Sequence, residues 1–152
     1  MKKKLFILIM AMVMALAMTA CGGSSGGDDV EYTEDSYSEI EAVDLSVLPE
    51  DAELVPYEDF KTGFAMISQT GMDVPVVTMS DLESAFGVEG IYYEKSSYEQ
   101  DGVAYKTYAW FSDKDWVDSK IAVAVIFKED PETSELIYYM YTAQGITYED
   151  VQ

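Results

Sequence analysis

YEQDGVAYKTYAWFSDKDWVDSKIAVAVIFKED, residues 98–130, decides how the fold is read. Aromatic and β-branched residues alternate with small or polar ones through Val103–Phe111 and again through Ile121–Lys128. A period of two places alternate side chains on opposite faces of a strand. Asp101-Gly102 ahead of the first run is a two-residue hairpin signal, because both central turn positions require positive φ. Two more runs, Ile91–Lys95 and Glu135–Thr142, have the same texture. The connections SDKDWVDS and EDPETSE are short, so the sequence predicts four antiparallel strands in a meander; parallel strands need long crossovers.

Working outward toward the N-terminus, the period lengthens. Phe60, Phe64 and Ile67 recur at i, i+4 and i+7, with Tyr57 one turn earlier, Pro56 at the start and Gly71 beyond the end. TMSDLESAFG, residues 78–87, predicts a second, shorter helix. Thr78 can cap it with Asp81 three residues on in the capping-box position, Ser80 with Glu83 offers an alternative cap two residues later, and Gly87 closes it in a left-handed turn. The expected fold is α+β, with two N-terminal helices packed on one face of a four-stranded antiparallel meander.

Alternation also divides the sheet into faces. Ile121, Val123, Val125 and Phe127 form the bulkier side of their strand and are assigned to the helices, leaving Ala122, Ala124 and Ile126 facing away. Tyr108 and Trp110 share one side of the preceding strand, as do Ile137, Tyr139 and Tyr141 in the last. Placed in one phase, Tyr108, Trp110, Tyr139 and Tyr141 flank Ala122 and Ala124 on the open face. That makes a candidate binding surface, because tyrosine and tryptophan bury large areas at low entropic cost and dominate interface hot spots. The competing reading is that these aromatics only coat a solvated sheet through cross-strand pairs. In the inverted assignment, Tyr105 and Phe111 are the exposed residues.

The start of the chain is of another kind. Lys2–Lys4 precede fourteen consecutive apolar residues, Leu5–Met18, too few for a spanning helix of about 20. A basic start and a short apolar core are the marks of a secretory signal. Thr19, Ala20 and the chain's single cysteine, Cys21, follow. This stretch resembles the lipobox of bacterial lipoproteins, departing from its commonest form only in Met18 where leucine is usual. The resemblance implies cleavage before Cys21, acylation of its thiol with a palmitate-type chain and of the new amino group, and a lipid-anchored protein on the outer side of the cell membrane. Two or more chains are needed for stable anchoring. The expected organisation is signal peptide over 1–20, flexible acidic Gly/Ser-containing linker over 21–53, and one domain over 54–152. In the linker, eleven acids and no lysine lie between Asp28 and Glu53, with Tyr32, Tyr37, Leu45, Val47 and Leu48 as sparse anchors, any one of them able to dock on the body.

Composition narrows function. The full chain holds 29 acids against 9 lysines, no arginine and no histidine. Removing the signal leaves six lysines and a net charge of −23. Nucleic acid is excluded as a partner, because phosphate binding needs a basic footprint. Ser-His-Asp and Cys-His catalysis lack their residues, and no phosphate-binding glycine loop occurs. No carboxylate pair stands out for glycosidase-type chemistry. The expectation is therefore non-enzymatic, without cofactor or metal. Asp113, Asp115 and Asp118 crowd one loop with Ser112. Yet Val117 stands where a calcium loop wants a ligand, the glycine is missing, and Trp116 fills the space.

TMSDLESAFG, with TYAWF, IAVAVIF and LIYYMYT after it, resembles the repeat unit of β-lactamase-inhibitor-protein-like domains and of small outer-membrane-assembly lipoproteins. The matching helix positions are Thr78, Asp81, Ala85, Phe86 and Gly87, and the likeness spans about residues 57–145. It implies a protein-binding sheet face. It does not imply β-lactamase inhibition, since the inhibitor uses two tandem units and this chain has one. The expected function is a membrane-anchored extracytoplasmic protein-binding module with an unidentified protein partner. A structural or envelope-assembly scaffold is the alternative.

Overall fold

The computed structural model describes residues 40–69 and 75–152. The signal segment, Cys21 and the linker up to residue 39 lie outside the described residues, as does Gly71. Among the described residues, no helix is long and apolar enough to cross a membrane.

The elements run β1 (Leu54–Val55), α1 (Tyr57–Ser68), α2 (Met79–Phe86), β2 (Ile91–Tyr92), β3 (Tyr98–Gln100), β4 (Val103–Trp116), β5 (Ser119–Glu129) and β6 (Leu136–Gln144). They form a six-stranded mixed sheet, which corrects the expected four-stranded antiparallel meander with N-terminal helices. Three local features account for the difference. β1 precedes the helices and pairs parallel to β4, Leu54 opposite Phe111. Two residues are too few to show a period, and the parallel crossover is supplied by both helices. The expected first strand is broken by a 3-10 turn at Glu94–Ser96 into β2 and β3, both antiparallel to β4. β4 also runs on to Trp116, so most of SDKDWVDS is strand, and the turn is only Val117-Asp118, with Val117 at φ 57°.

The helix assignments rest on chemistry that is visible in the atoms. The Asp81 backbone N–H donates to Thr78 Oγ1 at 3.2 Å, and the Thr78 N–H donates to Asp81 Oδ2 at 2.9 Å. Gly87 closes α2 at φ 76°, its N–H on the Glu83 carbonyl at 2.8 Å. In α1, Gly63 meets α2 directly: a Cβ there would stand 2.5 Å from the Phe86 ring. This is why a glycine interrupts an otherwise regular apolar stripe.

Helix ends in this acidic chain depend on ionised aspartates. The Asp81 carboxyl is held below its ordinary 3.8 by the backbone N–H of Thr78 and then by the Thr78 hydroxyl. The N–H and hydroxyl of Thr147 do the same for Asp150. A carboxyl lowered on folding stabilises above its unfolded pKa, and that contribution is lost as pH falls through 3.8 toward the folded value. Thr78→Ala is expected to cost about 1 kcal/mol at pH 7. Asp81→Asn should be less stable than the parent at pH 7, with the gap closing below pH 3.8. Chemical denaturation at pH 7 and pH 3 measures both; a gap that widens in acid contradicts the assignment.

The sheet separates two apolar layers. On the helix side, Phe60, Phe64 and Phe86 pack on Trp110, Val125 and Phe127. On the outer side, a smaller cluster joins Ala109, Phe111, Ala122 and Ala124 beneath Leu45, with Val43 packed against it.

Candidate functional site

The segment expected to be linker covers half of the outer face. Residues 40–53 cross the sheet as a strap. The Glu41 N–H donates to the Lys95 carbonyl at 3.0 Å, and the Ser96 hydroxyl donates to the Glu41 carbonyl at 2.6 Å. At the other end, Gln144 Nε2 donates to the Leu45 carbonyl at 3.1 Å. Leu45 is buried over the alanines, as its apolar side chain requires. A cleft of about 480 Å³ lies between the strap and the Tyr92–Ser96 turn, with Glu41, Asp44 and Glu94 at its rim.

The strap and a β-bulge together dismantle the six-residue surface expected from alternation. Tyr108 and Trp110 point to the helix side: Trp110 is 1% exposed, its ring 4.8 Å from Phe86 and its Nε1 donating to the Val88 carbonyl at 3.2 Å. Ala122 and Ala124 are on the outer face but buried under Leu45. The register of β6 shifts between Ile126 and Phe127. Tyr138 pairs with Phe127 and Met140 with Ile126, which leaves Tyr139 as the extra residue. The shift returns Tyr141 to the helix side, edge-on to Phe64 at 5.4 Å. Of the six, Tyr139 alone stands on the open part of the outer face. The inverted assignment is half right in geometry: Tyr105 does face outward, but Phe111 is fully buried beneath the strap.

What remains open is a tyrosine cluster at the other half of that face. Tyr98 and Tyr105 stack with centroids 4.8 Å apart and planes 8° apart. Tyr139 meets Tyr105 edge-on at 5.2 Å. Half-buried Ile126 and exposed Met140, paired in register, continue the patch toward β6. Burial, then the neighbouring Tyr139 and Tyr105, raises the Tyr98 phenol above its ordinary value. It is therefore neutral at physiological pH. Tyr98 and Tyr105 were not singled out together from the sequence, although Asp101-Gly102 carried the signal. Counting outward from that two-residue turn puts Gln100 opposite Val103 and Tyr98 opposite Tyr105, the observed register. Asp101 and Gly102 adopt φ 53° and 75°.

The acidic hairpin does not form a cluster. Asp113 accepts from the Tyr57 N–H at 3.0 Å, and Asp115 pairs with Lys120 at 2.6 Å. Among the described residues, no three of His, Cys, Asp or Glu converge as a cation site. Comparison of the chain with protein-family models, with curated proteins and with solved structures finds no match.

Proposed function

We propose that the chain is a lipid-anchored extracytoplasmic protein, tethered through Cys21, that acts as a non-enzymatic protein-binding module. Its contact surface is the open half of the outer sheet face. The observation that carries this reading is the Tyr98–Tyr105–Tyr139 cluster, packed ring to ring yet left uncovered by the strap. Tyr139 is 51% and Met140 48% exposed, although each would gain from burial. Tyrosines already held by their neighbours lose little side-chain freedom on binding, which is the condition for an interface hot spot. The resemblance to inhibitor-type units points to the same kind of face.

Two experiments test the two parts. Cys21→Ser is expected to move the protein out of the membrane fraction or to leave the precursor unprocessed. Processing and membrane retention as in the parent would refute the anchor. A photo-crosslinking residue in place of Tyr139 should trap a discrete partner on intact cells, whereas one in place of Val76, 71% exposed, should not. Tyr105→Ala should abolish the Tyr139 adduct while the domain stays folded, at a cost of about 1–3 kcal/mol for its two ring contacts. Equal adducts from both positions, or an adduct indifferent to Tyr105→Ala, would remove the tyrosine cluster from the interface.

A further inference from the structure

We propose that the tip of the β4–β5 hairpin is a second contact surface, a prong that enters an apolar pocket of a protein whose rim carries lysine or arginine. It lies at the other end of β4 from the tyrosine cluster and does not depend on that face.

The turn carries the first observation. Val117 holds φ 57° at the first of its two positions, where a tight hairpin takes glycine, asparagine or aspartate. A β-branched residue there is an outlier, because its Cβ crowds the backbone. The Asp101-Gly102 hairpin of the same sheet shows what turning alone requires, at φ 53° and 75°. Strain of this kind gathers at binding and switching positions. At 81% exposed, Val117 adds nothing to the core that would offset it. Trp116 beside it is 45% exposed yet held in place: a Cβ on Gly145 would stand 2.5 Å from its Cγ. An indole fixed in this way loses little freedom on binding. Val117 also shares a cleft of about 390 Å³ with Leu48 of the strap, which is 40% exposed. Residues 70–74 join two points remote from this end. α1 starts beside the hairpin, where Tyr57 donates to Asp113, so Ser68 lies a helix length of about 17 Å away. Thr78 bridges Ile137, about 23 Å along β6 from Gln144, which bonds to Ser119 and Lys120 below the tip. A five-residue link between those points falls short of Val117.

Charge selects the occupant. Asp115 is paired with Lys120 at 2.6 Å, and Asp113 accepts from the Tyr57 N–H at 3.0 Å. Among the described residues, no lysine pairs with Asp118, the neighbour of Val117 in the turn. Residues 40–152 carry 23 acids and six lysines, a net charge of −17. A second copy of the domain would bring the same excess negative charge. The chain's own residues 28–39, with six acids and no lysine, are repelled likewise. An anionic membrane surface is repelled too, and Asp118 would have to follow Val117 among the headgroups. A protein pocket with an apolar floor and a cationic rim accepts all three groups: it buries the valine and the indole and pairs the carboxylate. The apolar tip then supplies affinity, and the charge supplies steering and register.

The test places a photo-crosslinking residue at Leu48 in the full-length chain and irradiates intact cells. The expected result is a discrete protein adduct, mapped by mass spectrometry to a peptide containing lysine or arginine, that two substitutions remove. Val117→Gly should raise the melting temperature by at least about 2 °C, because glycine relieves the turn, and yet cut the adduct at least about tenfold. Asp118→Lys should cut it at least about tenfold with the domain still folded. A lower melting temperature in Val117→Gly would make the valine a structural residue and overturn the prong. So would an adduct indifferent to either substitution, an adduct to residues 22–39, to a second copy or to lipid alone, or no adduct. The same crosslinker at Tyr139 separates the two surfaces. Its adduct should survive Val117→Gly; joint loss of both adducts would signal a global change and refute the tip. Absence of the Tyr139 adduct with the Leu48 adduct behaving as expected would remove the tyrosine face and leave the tip supported.

Discussion

Trp110→Ala is expected to destabilise the whole domain and not merely to weaken a contact. The indole is 1% exposed, stacks on Phe86, meets Phe127 edge-on at 6.4 Å, and donates its N–H to the Val88 carbonyl. Truncation opens a cavity at the centre of the helix–sheet layer and leaves that carbonyl without its donor. Large-to-small changes of this kind cost about 3–5 kcal/mol. For a domain of this size the melting temperature should fall by at least about 12 °C. Tyr139→Ala is the matched control, an exposed aromatic whose loss should leave the melting temperature within about 4 °C. Scanning calorimetry of the two variants separates core from surface. A Trp110→Ala variant that melts with the parent would mean that the indole is not in the core.

Leu45→Asp is expected to release the strap. The leucine is 7% exposed over Ala109, Phe111, Ala122 and Ala124, and burial of such a side chain is worth about 1.5–3 kcal/mol. A carboxylate in its place would be desolvated against the apolar side chains of Ala109, Phe111, Ala122 and Ala124, so the strap should leave the sheet. Because the strap contains no lysine, cleavage after glutamate is the useful probe. Glu41, Glu50 and Glu53 should be cut at least about tenfold faster than in the parent, with the rest of the domain intact. The exposed Phe111 face should also bind a hydrophobic dye. Unchanged cleavage would show that the strap is held by its backbone bonds to Ser96 and Gln144 and not by Leu45.

The helices were legible because their information is local. The Phe60/Phe64/Ile67 spacing and the Thr78–Asp81–Gly87 caps each act within a turn or two, and the same atoms form the observed bonds. The Asp101-Gly102 turn was equally readable. The sheet was not, because a two-residue β1 and a strand split by a 3-10 turn leave no periodic trace. The candidate surface failed for a related reason. Alternation groups the residues of one strand but does not say which group faces the helices. It also assumes an unbroken phase, which the bulge at Tyr139 interrupts. Charge density reads the strap as linker, with Leu45 among the sparse anchors able to dock on the body; Leu45 is the one that docks, because the alanine-lined trough beneath it is apolar.

By itself, then, the sequence determined the two helices, the caps of α2, the tight turn after Gln100 and the alternating strands, all set by interactions within a few residues. Tertiary structure alone decided the parallel pairing of β1, the burial of Trp110, the covering of Ala122 and Ala124, and the gathering of Tyr98, Tyr105 and Tyr139. These depend on which face meets the helices and on contacts such as Leu45 to Gln144, 99 residues apart, that no local pattern encodes.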